Sequence, residues 1–334
     1  MSFPLSLPFL PNFCWTGSRD PFGSTLETSP LTSLPHQILL LPRRLPKVHQ
    51  TRGKTLTLDM APDTFDDAYT DCVEDMKQAA PILLKEEMAK HKLLRESWEV
   101  ATASLKNYQN LPLPPGFQTE HALAVMVYTN SSNPLHQELN LAVRELGRSI
   151  EVYMEHFPFK ALHFYLMRAL QLLRAPESCK EDSGLEVFRG TRSTHFKPRK
   201  LGDIIRLGQF TSTSEERKVA QTYGNATFFT LTTCFGIPIK DLSVFPSELE
   251  VLIPPNELFQ VSNFSQDGTR NLVTLRSLKQ TCSNFNCAYL RRKKSQNCVV
   301  KSGNINSTVL GKVTPWLFVG TQLLLLRIFF LKSS

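Results

Sequence analysis

The spacing of hydrophobic and polar positions changes once along this chain, near residue 177. Between Thr64 and about Leu173, apolar side chains recur at helical intervals. Leu83–Tyr108 is a long amphipathic stretch, and Pro134–Leu146 sets Leu135, Leu139, Leu141, Val143 and Leu146 at mixed helical spacings. Phe159–Leu173 is apolar nearly all round, which predicts a buried helix. A loop with three prolines, Leu111–Gly116, separates two helical blocks. After Glu177 come short runs rich in Val, Ile, Phe and Thr, bounded by turn residues: Glu186–Arg189, Ile204–Gln209, Ala226–Thr233, Glu248–Ile253, Leu258–Asn263 and Leu272–Leu278. These predict strands. Helices followed by strands give an α+β chain, a helical N-terminal half packed on a β core. No internal repeat, Walker motif or G-x-G-x-x-G is present, so a Rossmann or P-loop reading has no support.

Composition narrows the class. With 334 residues, 41% hydrophobic and 20% charged, the chain can bury a sizeable core, which excludes collagen, coiled coil and wholesale disorder. A formal charge of +8 would suggest nucleic acid or an anionic membrane. Its location argues otherwise. Residues 1–55 carry six basic and two acidic side chains, and residues 285–334 carry eight basic and none acidic. The part between is mildly acidic and has no basic, aromatic-interleaved face, so no nucleic-acid partner is expected. Residues 1–55 read as a disordered or atypical leader; their apolar start holds three prolines and lacks a basic flank. Residues 291–334 form a basic linker and an apolar tail. Arg327 interrupts the run Pro315–Leu331, which speaks against a spanning helix. Small residues at Ser302–Asn304 and Asn306–Ser307 precede a polar spacer and that tail, the layout of a glycolipid-anchor signal; an unprocessed apolar extension is the alternative. Seven dispersed cysteines without CxxC pairs, together with sequons at Asn130, Asn225, Asn263 and Asn306, favour an oxidising, secretory route and no metal.

Three local patterns carry candidate chemistry. Glu248-Leu249-Glu250 opens a predicted strand, so alternation puts Glu248, Glu250 and Leu252 on one face and Leu249, Val251 and Ile253 on the core face. Two carboxylates about 7 Å apart can serve as base or electrostatic stabiliser, or can simply be solvated. Val187-Phe188-Arg189-Gly190 ends an apolar strand in an arginine that can fork onto phosphate oxygens, with Gly190 open to close approach of a ligand. An edge-strand arginine paired to a helix carboxylate is the bland alternative. Gly208–Ser214 is rich in hydroxyls and leads into Glu215-Glu216; it also reads as a helix start with Ser214 as N-cap, although Arg217 stands where a capping box needs an acid.

Taken together, an arginine at a strand end, Ser-Thr-Ser 23 residues on and an E-x-E strand resemble the R-S-E clade of mono-ADP-ribosyltransferases. The chain is similar to the vertebrate ecto-ADP-ribosyltransferases across about residues 58–290. The likeness includes Leu58–Tyr69, Phe157–Tyr165, Thr233–Pro238 and Glu250–Pro255, and one mammalian branch in particular at Thr129–Asn133 and Gln280–Tyr289. The resemblance implies a single catalytic domain over 56–290, mainly helical to residue 176 and mainly β from 177, built on a mixed β-sandwich NAD-binding core. It implies transfer of ADP-ribose from NAD, as co-substrate, to arginine side chains of extracellular proteins with release of nicotinamide, by a monomer that is either secreted or held at the membrane by a glycolipid anchor. By the same analogy Glu250 holds the ribose and stabilises positive charge, while Glu248 orients and deprotonates the guanidinium. Ser212 positions Glu250 and the nicotinamide ribose, Arg189 holds NAD phosphate or ribose oxygens, and the Gly190 backbone holds the carboxamide. Phe245 either flanks the substrate or packs. The family pattern pairs Cys72 with Cys287 and Cys179 with Cys234, leaves Cys282 with Cys298 as a third bridge, and gives Cys14 no partner. An NAD glycohydrolase and a catalytically silent surface binding module on the same fold remain as rival readings.

Overall fold

A computed structural model of the chain describes residues 54–105, 111–175, 179 and 184–291. The leader, the anchor signal, Asn306 and Cys298 lie outside these residues.

Among the described residues the helical half has six helices. α1 (Val73–Lys90) follows Cys72 and carries Glu74 and Asp75 in its first turn, where carboxylates meet the positive end of the helix dipole. α2 (Lys92–Ser104) begins at His91, whose side chain accepts from the Leu94 amide. The expected single helix over Leu83–Tyr108 is therefore two. His91 adopts an extended conformation (φ −120°, ψ 96°), and amphipathic spacing that runs through a one-residue break does not reveal it. α3 (Thr119–Thr129) is buried from His121 to Thr129. α4 (Leu135–Glu145) and α5 (Ile150–His156) follow, the latter capped by Ser149. α6 (Lys160–Leu173) is the predicted buried helix, with nine of its residues in the core. Its N-terminus is capped from another helix: Glu87 of α1 accepts from the amides of Lys160 (2.5 Å) and Ala161 (3.1 Å).

The strands are β1 (Lys54–Thr57), β2 (Leu185–Thr191), β3 (Thr194–Lys197), β4 (Ile204–Arg206), β5 (Thr211–Ser214), β6 (Thr227–Thr233), β7 (Ile237–Pro238), β8 (Glu250–Ile253), β9 (Glu257–Asp267) and β10 (Arg270–Thr281). A short helix, α7 (Arg217–Thr222), lies between β5 and β6. β1 and β3 form a parallel pair, and the other eight strands form a mixed sheet in the order β4-β9-β10-β6-β2-β5-β8-β7. Several expected boundaries move, two of them at the site. The strand predicted over Ile204–Gln209 stops at Arg206, and Gly208 turns with φ +66°, where a Cβ would also lie 2.4 Å from the Ala61 Cβ. The strand predicted from Glu248 begins at Glu250.

β8 separates two hydrophobic clusters. Val251 and Ile253 face the sheet's own core with Val187, Leu231 and Phe259, while Leu252 joins the helical core with Phe210, Phe164 and Leu139. Period-two alternation thus serves two buried faces, in place of one buried and one solvated. Leu249, expected on the core face, is 37% exposed.

The segments at the start and end of the described domain are clipped together. Asp66 and Asp67 are both fully buried. Asp66 accepts from the Arg206 guanidinium and from the amides of Asn284 and Phe285, and Asp67 accepts from the amides of Tyr69, Cys287 and Ala288. Burial drives the Asp67 carboxyl up to about 6 against the pull of these donors. Arg206 also donates to the carbonyls of Met60, Ala61 and Cys282. The Cys72–Cys287 bridge closes the same junction, and Cys179–Cys234 ties the start of β2 to the end of β6. Among the described residues no helix is long and apolar enough to cross a membrane.

Truncating one member of the buried ion pair strands the other without a partner. Asp66→Ala is expected to cost about 3–5 kcal/mol, a drop of roughly 10 °C in Tm measured by thermal circular dichroism.

Candidate active site

The eight-stranded sheet is continuous except at one place. β2 pairs with β6 along its full length, from Leu185–Thr233 to Thr191–Thr227, but meets β5 only at Phe188–Ser214. Beyond that bridge the two strands diverge, and the sequence-predicted residues line the divergence. Arg189 stands on β2 and Ser212 on β5, and the Arg189 Nη1 donates to the Ser212 carbonyl across the gap at 2.5 Å. Arg189 is not the edge-strand residue of the bland reading, since β2 is interior to the sheet. Burial holds its guanidinium pKa below the ordinary value, with the nearby Tyr128 and Glu250 opposing.

Ser212 lies in a strand, so the helix-start reading of this segment gives way. Ser214 instead accepts from the Glu216 amide and donates to the Glu248 carbonyl at 2.7 Å, and Glu216 is the N-cap of α7. β5 pairs with β8 in the register Ser212–Leu252 and Ser214–Glu250. The Ser212 side chain stands near enough to Glu250 and Tyr128 to draw the pKa of each down. Tyr128 is fixed in turn: its hydroxyl donates to the Phe210 carbonyl (2.9 Å) and accepts from Asn140 (3.1 Å).

Glu250 is 6% exposed, and its carboxyl is pushed up to about 7. Burial is the main cause and the negative charge of Glu248 adds to it; bonds from Ser212 and Ser243 and the charge of Arg189 work the other way. Ser243 accepts from the Phe245 amide and lies 3.4 Å from Glu250 Oε2, so its proton is directed at the carboxylate.

Glu248 does not share a strand face with Glu250. It ends a 3₁₀ turn, Pro246–Glu248, and the next residue, Leu249, is left-handed (φ 46°, ψ 49°). A non-glycine residue there is strained, by roughly 1–2 kcal/mol. The turn is held by the Leu249 amide to the Pro246 carbonyl and by the Glu215 amide to the Leu249 carbonyl. The hinge sets one glutamate in the protein and the other, half-buried, at the rim, where Tyr223 donates to its Oε1 at 2.5 Å. Phe245 sits half-buried at the start of the turn.

Gly190 also meets a packing need of its own. A Cβ there would lie 2.4 Å from the carbonyl oxygens of both Ala220 and Gly224, so the bare Cα admits the end of α7. Tyr128, Ser214, Tyr223 and Ser243 were not singled out from the sequence as members of the site. Only Ser214 lay within a pattern that drew attention; the others are ordinary residues until tertiary packing aims them. Among the described residues no cluster of His, Cys, Asp and Glu could hold a metal.

The arrangement can bind an anionic, hydroxyl-bearing ligand through Arg189 and Ser212, set a buried carboxylate against developing positive charge, and meet a cationic group at Glu248. Comparison with known proteins places this geometry. The family model for NAD:arginine ADP-ribosyltransferase matches residues 58–283. Ecto-ADP-ribosyltransferase 5 of Rattus norvegicus is 61% identical over 245 residues, covering 73% of this chain and 80% of that protein. The GPI-linked NAD(P)(+)–arginine ADP-ribosyltransferase 1 of Mus musculus is 43% identical over 252 residues, covering 72% of this chain and 75% of that one. A crystal structure of a mutant of the eukaryotic mono-ADP-ribosyltransferase ART2.2 in complex with NAD superposes with a TM-score of 0.60 at 37% identity, covering 70% of this chain and 99% of that one. By this match and these identities, the chain belongs to the NAD:arginine ADP-ribosyltransferases.

Proposed function

We propose that this chain transfers ADP-ribose from NAD to arginine side chains of extracellular proteins and releases nicotinamide, with Arg189, Ser212, Glu248 and Glu250 as the working residues. The bond between the ribose C1′ and the nicotinamide nitrogen breaks, and the electron pair leaves with nicotinamide. An arginine nitrogen then bonds to C1′ and gives up a proton. The transition state carries positive charge on the ribose, so the dominant contributions are positioning and a fixed counter-charge.

The observation that carries the reading is Glu250, a carboxylate almost wholly removed from water, bonded by Ser212 and set across a sheet seam from Arg189. As an anion in a poorly screened place it favours an oxocarbenium-like state more than a solvated glutamate would. Arg189 and Ser212 hold NAD, and the Gly190 backbone contributes at the same strand end. Glu248, beyond the left-handed hinge, receives the guanidinium and takes its proton. Hydrolysis of NAD is the same reaction with water as acceptor, and the exposed rim at Tyr223 and Leu249 admits water. The surface setting is supported by two disulfides and by Asn225 and Asn263 on exposed positions. The ecto and GPI-linked names of the relatives support it too.

Incubation with labelled NAD and agmatine, following both labelled agmatine and free ADP-ribose, tests the assignment. Glu248→Gln is expected to lower agmatine transfer about 10²-fold and to tip the products towards free ADP-ribose. A variant that still labels agmatine normally would remove Glu248 from the acceptor role, and a chain that turns over no NAD would leave only a binding module.

Glu250 works as an anion, so protonation removes activity. The kcat/KM for NAD is expected to rise about tenfold per pH unit up to about 7 and then level. Ser212→Ala, which removes a donor to the charged form, should move that limb to higher pH. The same shift affects stability. The folded pKa lies above the unfolded value, so the contribution of Glu250 is fully present below about 4.5 and is lost as pH rises through about 7. Glu250→Gln is accordingly expected to gain about 2 kcal/mol, roughly 5 °C in Tm, at pH 8 and almost nothing at pH 4.5, while NAD turnover falls about 10²–10³-fold.

A further inference from the structure

The sequon Asn225-Ala226-Thr227 lies in the short link between α7 and β6, two residues beyond the rim residue Tyr223. The backbone on either side of Asn225 is fixed. Gly224 has φ +134° and fits so closely on the turn after β2 that a Cβ would lie 2.4 Å from the Arg192 Cα. The Ala226 amide donates to the Thr191 carbonyl at 2.8 Å, and the Ala226 carbonyl accepts from the Asn271 amide at 2.9 Å. Thr227, the hydroxyl residue of the sequon, is wholly buried. Its Oγ1 accepts from the Phe196 amide (2.8 Å) and donates to the Thr194 carbonyl (2.9 Å). Asn225 itself is exposed.

The asparagine is thus held at the end of β2, the strand that carries Arg189 and Gly190. Two residues of chain span at most about 7 Å, so the Asn225 Cα lies within that reach of the Tyr223 Cα. Tyr223 meets Glu248 Oε1 with its hydroxyl, and both Tyr223 and Leu249 are exposed. Anything bulky on Asn225 therefore starts beside the rim at Glu248. The other described sequons are set differently. Asn130 is half-buried, and its Oδ1 accepts from the Ser132 amide at 3.1 Å. Asn263 is exposed but stands on β9, three strands from β2 in the sheet order, about 14 Å across the sheet.

We propose that Asn225 carries an N-linked oligosaccharide that screens by size the acceptors reaching Glu248. The Asn225 Nδ2 bonds to the anomeric carbon of an oligosaccharide supplied on a lipid diphosphate. The bond from sugar to phosphate breaks, its electron pair leaves with the diphosphate, and the amide gives up one proton. In the fold the Thr227 hydroxyl is taken up by Thr194 and Phe196, so this step precedes the docking of β6 beside β3, while the sequon is open. The Cys72–Cys287 and Cys179–Cys234 bridges fit the same oxidising route. Once attached, the glycan is bulky and hydrated but leaves the protein from a rigid point. A small guanidine, or an arginine on a loose segment, passes beside it. A broad folded surface that must lie flat on the rim clashes with it. The assignment rests on the reading of Glu248 as the acceptor-binding carboxylate.

The experiment uses the full chain produced in animal cells, alongside Asn225→Gln, Asn225→Asp and, as a control, Asn263→Gln. Mass spectrometry of the peptide containing residue 225 is expected to show an oligosaccharide on it; a bare asparagine there overturns the proposal. Transfer from labelled NAD is then measured to agmatine, to folded lysozyme and to lysozyme that is reduced and carboxymethylated. Both Asn225 variants are expected to raise kcat/KM for folded lysozyme about tenfold and to leave agmatine, the unfolded acceptor and Tm unchanged. Asn263→Gln should change none of these. Equal rates on folded lysozyme with and without the glycan, or a gain that Asn263→Gln reproduces, overturn the screening role. A change in agmatine transfer together with a fall in Tm would make the glycan a folding aid and overturn it as well. Glu248→Gln, run in parallel, keeps the two readings apart. Normal agmatine labelling by that variant removes the acceptor site on which the screen depends. Lost labelling, with folded lysozyme indifferent to residue 225, defeats the screen alone.

Discussion

Two neighbouring aspartates, Asp66 and Asp67, sit out of water with each carboxylate surrounded by donors from elsewhere in the chain. Buried carboxylates tolerate this only when every lone pair is matched, and here a guanidinium and backbone amides do the matching. The geometry of the site follows from that requirement. Arg206 must reach Asp66, which places the end of β4 against the segment Met60–Ala61. Gly208 then fits over Ala61 and Thr64, and the chain proceeds to Phe210, whose carbonyl is gripped by Tyr128 and Asn140. β5 starts from that fixed point, so the position of Ser212 is set by carboxylates far away in sequence.

The two glutamates of the site solve a different electrostatic problem. Placed on one strand face they would share one environment and repel. The left-handed residue between them gives each its own surroundings, one dry and bonded by serines, one at the rim beside a phenol. The strain at Leu249 and the burial of Glu250 both work against folding. They are carried by the surrounding β5–β8 pairing and by the fully buried strand β8.

Much of the fold is legible from residue pattern because its physical cause is local. The apolar girth of α6 and the Val, Ile, Phe and Thr runs of β2, β6 and β10 mark themselves, and the R-S-E residues are recognisable as a set. What is not legible has a non-local cause. The break at His91 leaves amphipathicity intact on both sides. The outer part of β9, Phe264 to Asp267, is mostly exposed and is held by its pairing with β10, so no apolar run announces it. The hinge at Leu249 carries no glycine to signal a positive φ. Tyr223 looks like any residue at a helix end until Gly190 and Gly224 set α7 down beside Glu248.

The clip also governs how the domain can be made. Its contacts span 140 residues for Arg206 with Asp66, 218 for Asn284 with Asp66 and 221 for Ala288 with Asp67, and the bridge beside them spans 215. Contacts of such separation make folding slow, because the chain must be closed into large loops before they contribute. During synthesis the aspartates and Cys72 emerge long before their partners, so a nascent chain holds unmatched carboxylates and an unpaired thiol next to exposed helical core. The junction itself can close only after residue 288 is free, and its bridge can form only where an oxidant is at hand.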